Sequence, residues 1–217
     1  MKYQLVVFDL DGTILNTLED LTASTNYALS ASGFPLRTQD EVRCFVGNGI
    51  RKLIERAVPC GTSVEAIDRV HTDFTAHYEK HCGDSTRPYA GIPELLAGLR
   101  AAGCRTAVVS NKADYAVQEL CRQYFPDQLD AAVGERSGVR KKPAPDAVNA
   151  VLCQLAVPKE CAVYIGDSDV DILTAENVGM DAVIVDWGFR DREFLAAQGA
   201  KVIVSDPQAL SAILLQP

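Results

Sequence analysis

Along the chain, short continuous apolar runs alternate with stretches whose apolar residues recur at helical spacing. The first run, Tyr3-Gln4-Leu5-Val6-Val7-Phe8, stops abruptly at Asp9-Leu10-Asp11-Gly12-Thr13. That pattern predicts a buried strand followed by a loop. The texture then becomes helical. Asn16 is placed to cap a helix, with Glu19 as its reciprocal partner. Leu18, Leu21, Thr25, Ala28 and Leu29 mark one face, and Gly33 and Pro35 end it. A second helix is predicted after Gly47-Asn48-Gly49, with Ile50, Leu53, Ile54, Ala57 and Val58 on its apolar face, and a third over about 63–78. Residues 15–85 therefore read as all-helical. From Arg87-Pro88-Tyr89 onward, predicted helices (93–102, 113–124, 145–155, 170–178, 194–198) alternate with strands (104–109, 129–133, 161–165, 182–185), and a last strand–helix pair covers 201–215. Alternation of this kind implies βαβ units and a parallel sheet. The expected architecture is α/β: a doubly wound, Rossmann-like parallel-sheet core made of 1–14 and 86–217, with an all-helical cap, 15–85, inserted after the first strand.

Composition narrows the function classes. The chain has 217 residues, 47% hydrophobic and 23% charged, which is ordinary for a globular protein and enough for a core without disulfides. No apolar run approaches the ~18–20 residues of a membrane span, so no membrane partner is expected. The 29 acidic residues outnumber the 21 basic ones, for a net charge of −8; this argues against nonspecific nucleic-acid binding, which needs a basic surface. It leaves an anionic substrate open, because a local field can oppose the net charge. Met1-Lys2-Tyr3 leads straight into the first strand without the longer apolar stretch of a secretory signal, so a cytoplasmic protein is expected. The seven cysteines, Cys44, Cys60, Cys82, Cys104, Cys121, Cys153 and Cys161, are scattered and include no CxxC; they read as reduced thiols. The composition does not separate a monomer from a homodimer.

Ligands of an open parallel sheet bind beyond the carboxyl ends of its strands. Asp9 and Asp11 stand after the first predicted strand, Ser110 and Asn111 after the second, and Asp167 and then Asp171 after the fourth. Lys142 lies in the loop before the helix leading to that fourth strand. Carboxylates brought so close repel one another and would partly protonate unless neutralised. A hard divalent cation such as magnesium takes oxygen ligands and leaves room for a substrate phosphate. An ammonium and a hydroxyl suit the phosphate oxygens. Asp9 and Asp11, two apart, would share a face if the strand persisted. One carboxylate can then attack phosphorus while the other exchanges a proton with the leaving oxygen and with water.

These residues carry a resemblance. Asp9-Leu10-Asp11-Gly12-Thr13, Ser110-Asn111, Lys142-Pro143 and Gly166-Asp167-Ser168-Asp169-Val170-Asp171 match, in order, the four motifs of the haloacid dehalogenase superfamily, and the match spans essentially the whole chain. The dehalogenases themselves lack an aspartate at the position of Asp11, so the resemblance is to the phosphatase branch. Within it, the chain is similar to the phosphoglycolate phosphatase-like group with a small helical cap, on Val46-Gly47-Asn48-Gly49, Lys142-Pro143-Ala144-Pro145-Asp146 and Val185-Asp186-Trp187-Gly188. The resemblance implies that Asp9 is a nucleophile forming an aspartyl-phosphate and Asp11 the general acid/base. It implies that Mg2+ is held by the Asp9 side chain, the Asp11 backbone carbonyl and Asp167, with Asp171 behind them. Ser110, Asn111 and Lys142 would hold the phosphate, and Lys142 would also fix Asp9.

Other features read less sharply. Gly47-Asn48-Gly49 is either a turn into a helix or a loop whose N–H groups, around Gly49, close over an anion. Arg51 and Lys52 follow it; Arg51 is a candidate receptor for a second anionic group of the substrate, against the simpler reading of a solvated surface. Asp167 and Asp169 are each also natural caps for the helix that follows them. His77 and His81 are four apart, but His71, His77 and His81 do not all share one helix face and no other ligand is obvious, so they are not read as a metal site; Trp187 reads as a packed strand-end residue. The leading expectation is a magnesium-dependent phosphatase acting on a small phosphorylated metabolite, 2-phosphoglycolate first. A pyrophosphatase, a sugar-phosphate phosphatase and a phosphosugar mutase would use the same residues. A receiver-like phosphorylation switch shares the strand-end aspartates but lacks DxDGT and a cap.

Overall fold

The computed structural model describes residues 2–216. Its elements are β1 (Leu5–Phe8), β2 (Leu15–Asn16), α1 (Leu18–Ala31), α2 (Gln39–Phe45), α3 (Ile50–Ala57), α4 (Val64–His81), β3 (Arg87–Pro88), α5 (Ile92–Ala101), β4 (Arg105–Ala113), α6 (Asp114–Tyr124), β5 (Ala131–Glu135), α7 (Asp146–Gln154), β6 (Ala162–Gly166), α8 (Asp169–Val178), β7 (Asp181–Val185), α9 (Arg192–Ala197), β8 (Ile203–Val204) and α10 (Pro207–Leu214). Six strands form one parallel sheet in the order β5-β4-β1-β6-β7-β8. Side chains alternate across a strand, so β1 feeds both faces. Val6 and Phe8 pack with Leu95, Leu99, Leu120 and Leu210 on one side. Leu5 and Val7 pack with Val148, Val151 and Val178 on the other. This is the doubly wound α/β core that the alternation predicted, and its strand order reverses at β1, between β4 and β6. No helix among the described residues is long and apolar enough to cross a membrane.

Helices α1–α4 occupy the stretch after β2. The faces predicted for α1 and α3 are the buried ones: Leu21, Thr25, Ala28 and Leu29 in the first, Leu53, Ile54 and Ala57 in the second. Three local details differ from the sequence reading. The residue before α1 is Thr17, not Asn16, and its hydroxyl serves Asp11 instead of the helix; Asn16 Oδ1 reaches only the Leu18 N–H, at 3.3 Å. A helix, α2, stands where none was predicted, opened by a capping box between Thr38 and Glu41. The stretch read as all-helical begins with β2, which pairs antiparallel with β3 in a two-stranded ribbon. Beside that ribbon the buried Asp20 accepts bonds from the Ser85 and Thr86 N–H groups and the Thr86 hydroxyl, at 2.7–3.1 Å. All seven cysteines are free.

Candidate active site

The strand ends deliver the predicted residues to one crevice. It is lined by Asp9 and Asp11 from the loop after β1, Ser110, Asn111 and Lys112 from β4, and Asp167 and Ser168 from the turn after β6. The helical side contributes Leu21, Val46, Gly47, Gly49, Ile50, Leu53 and Tyr78, and the loop after β7 contributes Phe189 and Arg190. Glycines let the backbones approach. A Cβ on Gly12, whose φ is +82°, would lie 2.2 Å from Asp167 Oδ2, and one on Gly188 would lie 2.3 Å from the same atom. A Cβ on Gly166 would lie 2.3 Å from Asp171 Cβ.

Lys142 organises the acidic cluster from below. Its side chain is 2% exposed, and its ammonium donates to Asp9 Oδ1 at 2.9 Å, Asp171 Oδ1 at 2.8 Å and the Tyr164 hydroxyl at 2.9 Å. Burial opposes its charge, but Asp171 and Asp9 outweigh burial and hold it well above the usual lysine value. Asp171 is saturated: Oδ1 takes Lys142 and Tyr164, and Oδ2 takes the Ser168 N–H and hydroxyl. Ser168 therefore precedes α8 as its N-cap residue, with Asp171 as its box partner; neither Asp167 nor Asp169 takes that place. Asp167 instead turns into the crevice, accepting from the Phe189 N–H at 2.6 Å and from Thr13 Oγ1 at 3.4 Å.

Asp9, Asp167 and Asp171 each offer a carboxylate oxygen within 4.8 Å of the others, the one such group among the described residues. Burial pushes the Asp9 carboxyl up to about 6; Lys142 opposes that rise, and the charges of Asp171 and Asp11 add to it. Burial raises Asp167 well above the usual carboxylate range, and the charges of Asp171 and Asp9 add to the shift. Four carboxylates, those of Asp9, Asp11, Asp167 and Asp171, face two buried ammoniums, Lys112 and Lys142. With all six ionised, two negative charges remain uncompensated. A divalent cation with oxygen ligands fits that donor set and that deficit; of the three clustered carboxylates Asp171 is saturated, which leaves Asp9 and Asp167 to hold it.

Several expected binders are engaged otherwise. The Asn111 carboxamide donates to Gly47 O and Lys142 O and accepts from the Lys142 N–H, at 2.8–3.1 Å. It ties two loops together, so its side chain is committed to them and not to an anion. Arg51 does not line the crevice. It pairs with Glu55 at 3.1 Å, one turn along α3, and with Asp68 of the facing α4. Gly49, with φ +86°, does line it, and a Cβ there would lie 3.0 Å from Lys141 Nζ. His77 bonds Ser24, His81 bonds Asp84, and Trp187 Nε1 donates to Thr13 O at 3.1 Å.

Arg190 was not anticipated. It reaches across from the loop after β7 and donates to Arg43 O at 2.9 Å and Val46 O at 2.8 Å, with Cys44 O at 3.4 Å. These are carbonyls left open at the end of α2. Lys112 and Tyr78 were also missed. Lys112 sits directly after the quoted Ser110-Asn111, and Arg190 just after Val185–Gly188, so adjacency was the available signal.

A family model described as haloacid dehalogenase-like hydrolase matches residues 6–185. The chain belongs to this family. Curated relatives agree. It is 32% identical to the N-acetylmuramic acid 6-phosphate phosphatase of Pseudomonas aeruginosa over 99% of this chain and 96% of that protein. It is 32% identical to the phosphoglycolate phosphatase of Mesorhizobium japonicum over 94% and 91%. A crystal structure from Lactobacillus delbrueckii subsp. bulgaricus, provisionally a phosphoglycolate phosphatase, superposes with a TM-score of 0.95 at 38% identity, covering 100% of both chains. The chain is thus a phosphoric monoester hydrolase of the haloacid dehalogenase-like family, in its phosphoglycolate phosphatase-like subgroup.

Proposed function

We propose that this hydrolase is a Mg2+-dependent phosphatase of a small phosphorylated metabolite, working through an aspartyl-phosphate on Asp9. The observation that carries the reading is the Asp9 carboxylate at the crevice, held by Lys142 at 2.9 Å and flanked by Asp167. Asp9 and Asp167, with the Asp11 backbone carbonyl, would hold the Mg2+, which would supply charge neutralisation for the transferring phosphoryl group. An Asp9 oxygen attacks phosphorus and the ester oxygen departs. Asp11 gives that oxygen its proton, then takes one from the water that attacks the aspartyl-phosphate. Alcohol and inorganic phosphate leave, and both aspartates return to their starting forms. Ser110 holds the phosphate at the crevice wall; Asp171 keeps Lys142 charged and in place. Residues 15–85 act as the cap, which excludes bulk water during the phosphoenzyme step, and residues 1–14 and 86–217 form the catalytic core.

2-Phosphoglycolate is the first candidate substrate, on the subgroup. Arg51 lends it no support, being paired within the helical segment. The Pseudomonas relative and the apolar wall of Leu21, Ile50 and Leu53 make N-acetylmuramic acid 6-phosphate the second candidate. The test is phosphate release from both, from pyrophosphate and from sugar phosphates, with Mg2+, with chelator, and with Asp9→Asn. Release dependent on both Mg2+ and Asp9 is expected. An isomeric phosphate in place of free phosphate would make the enzyme a mutase, and a long-lived phosphoenzyme without turnover would make it a switch.

A further inference from the structure

The second buried lysine of the crevice has no part in the reaction as described above. The Lys112 side chain is 2% exposed. Its ammonium donates to Asp11 Oδ1 at 2.9 Å and to the Tyr78 hydroxyl, and it lies 4.6 Å from the centroid of the Tyr78 ring. A buried ammonium needs a carboxylate partner, and Asp11 is the one Lys112 has among the described residues. Tyr78 is itself fully buried and belongs to α4, so the lysine joins β4 of the sheet directly to the helical segment while it holds Asp11.

The bonds to Asp11 are one-sided. Oδ1 accepts from Lys112 and, at 2.7 Å, from Thr17 Oγ1. Among the described residues nothing donates to Oδ2. Two donors converging on one oxygen, from two different elements, fix the rotation of the carboxylate and leave the other oxygen free at the crevice.

We propose that Lys112, seated by Tyr78, is the positioning residue that turns Asp11 Oδ2 toward the leaving-group oxygen. This rests on the role given to Asp11 above. Lys112 does not touch the phosphate; its ammonium is committed to Asp11 and Tyr78. Its effect must therefore scale with how much the departing oxygen needs a proton. A nitrophenolate leaves without one, whereas a more basic phenolate or alkoxide does not.

The test compares phenyl phosphate with p-nitrophenyl phosphate, esters of similar shape, through kcat/KM, which reports the steps up to loss of the phenol. Lys112→Met is expected to lower kcat/KM about 100-fold for phenyl phosphate and less than about 5-fold for p-nitrophenyl phosphate. Tyr78→Phe keeps the ring, loses the hydroxyl, and should shift the two esters apart in the same direction by a smaller factor. Asp11→Asn is the benchmark. If it separates the esters and Lys112→Met and Tyr78→Phe lower both equally, the inference is overturned while the role of Asp11 stands. If Asp11→Asn itself fails to separate them, the role of Asp11 falls first, and the inference with it. Should Lys112→Met not fold, Tyr78→Phe decides alone: an unequal loss supports the inference, and equal or no loss overturns it.

Discussion

The two walls of the crevice are built on opposite principles. On the sheet side, nearly every residue that meets the crevice is polar, buried and multiply bonded. Lys142 spends its donors on Asp9, Asp171 and Tyr164, and Asp171 spends both oxygens on Lys142, Tyr164 and Ser168. On the helical side the wall is Leu21, Val46, Ile50 and Leu53, and the nearby charges of α3 and α4 neutralise one another: Arg51 with Glu55 and Asp68, Lys52 with Glu55. The sheet side can afford buried charge because strand ends and glycine turns converge at fixed distances. The helices meet it with an apolar surface, tied at a few points such as Arg190 and Lys112. The reaction should therefore depend steeply on the first wall, and the second should govern closure and selectivity.

Substitutions can break or sharpen that contrast. The largest effect belongs to Asp9→Asn, which should cut turnover by at least about 10³-fold and abolish acid-stable labelling of the protein by a phosphate ester, read by intact-protein mass. Gly188→Ala comes next. Its Cβ would lie 2.3 Å from Asp167 Oδ2 and 2.4 Å from Gly12 O, so the fold should lose about 1–3 kcal/mol in urea melts, and the gain of stability on adding Mg2+ should vanish.

Metal removal gives a smaller effect with a definite sign. Asp9 and Asp167 have folded-state carboxyls raised above the unfolded value of 3.8, Asp9 to about 6. The folded metal-free protein thus holds protons that the unfolded chain releases. That stabilisation is present at acid pH and is lost as pH rises through about 6. A divalent cation replaces those protons. Mg2+ should accordingly raise the melting temperature by several degrees near pH 7.5 and by much less near pH 5; equal shifts at both would mean that the metal binds elsewhere.

The helical wall should respond more weakly. Arg190→Met removes the bonds to Arg43 O and Val46 O, worth about 1 kcal/mol each, and should raise KM about tenfold with a small change in kcat. Arg51→Ala should change kcat/KM less than about twofold, since a partly exposed ion pair outside the crevice contributes little. A tenfold loss there would restore Arg51 as a substrate receptor and erase the contrast between the walls.

Much of the first wall was legible in the chain. Asp9, Asp11, Ser110, Asn111, Asp167 and Asp171 stand where apolar runs stop, and a parallel sheet brings such stops to one edge. Less of the second wall was legible. The Thr38–Glu41 box that opens α2 is present in the sequence but carries little signal there, because the stretch around it is short and weakly periodic. Thr17, Arg51 and Asn111 have the residue types expected of a cap, a ligand receptor and an anion binder, yet each takes a different partner, because the nearest group in space belongs to another element.

What the sequence by itself determined is the alternation of strands and helices in the core, its doubly wound form, and the set of carboxylates that meet at its edge. These follow from periodicity and from where apolar runs end, which are properties of neighbours along the chain. Only the tertiary structure decided that Lys112 serves Asp11 and that Arg190 holds the end of α2. Those choices depend on distances of about 3 Å between residues a hundred or more positions apart, and on the energetic need of every buried charge to find a partner.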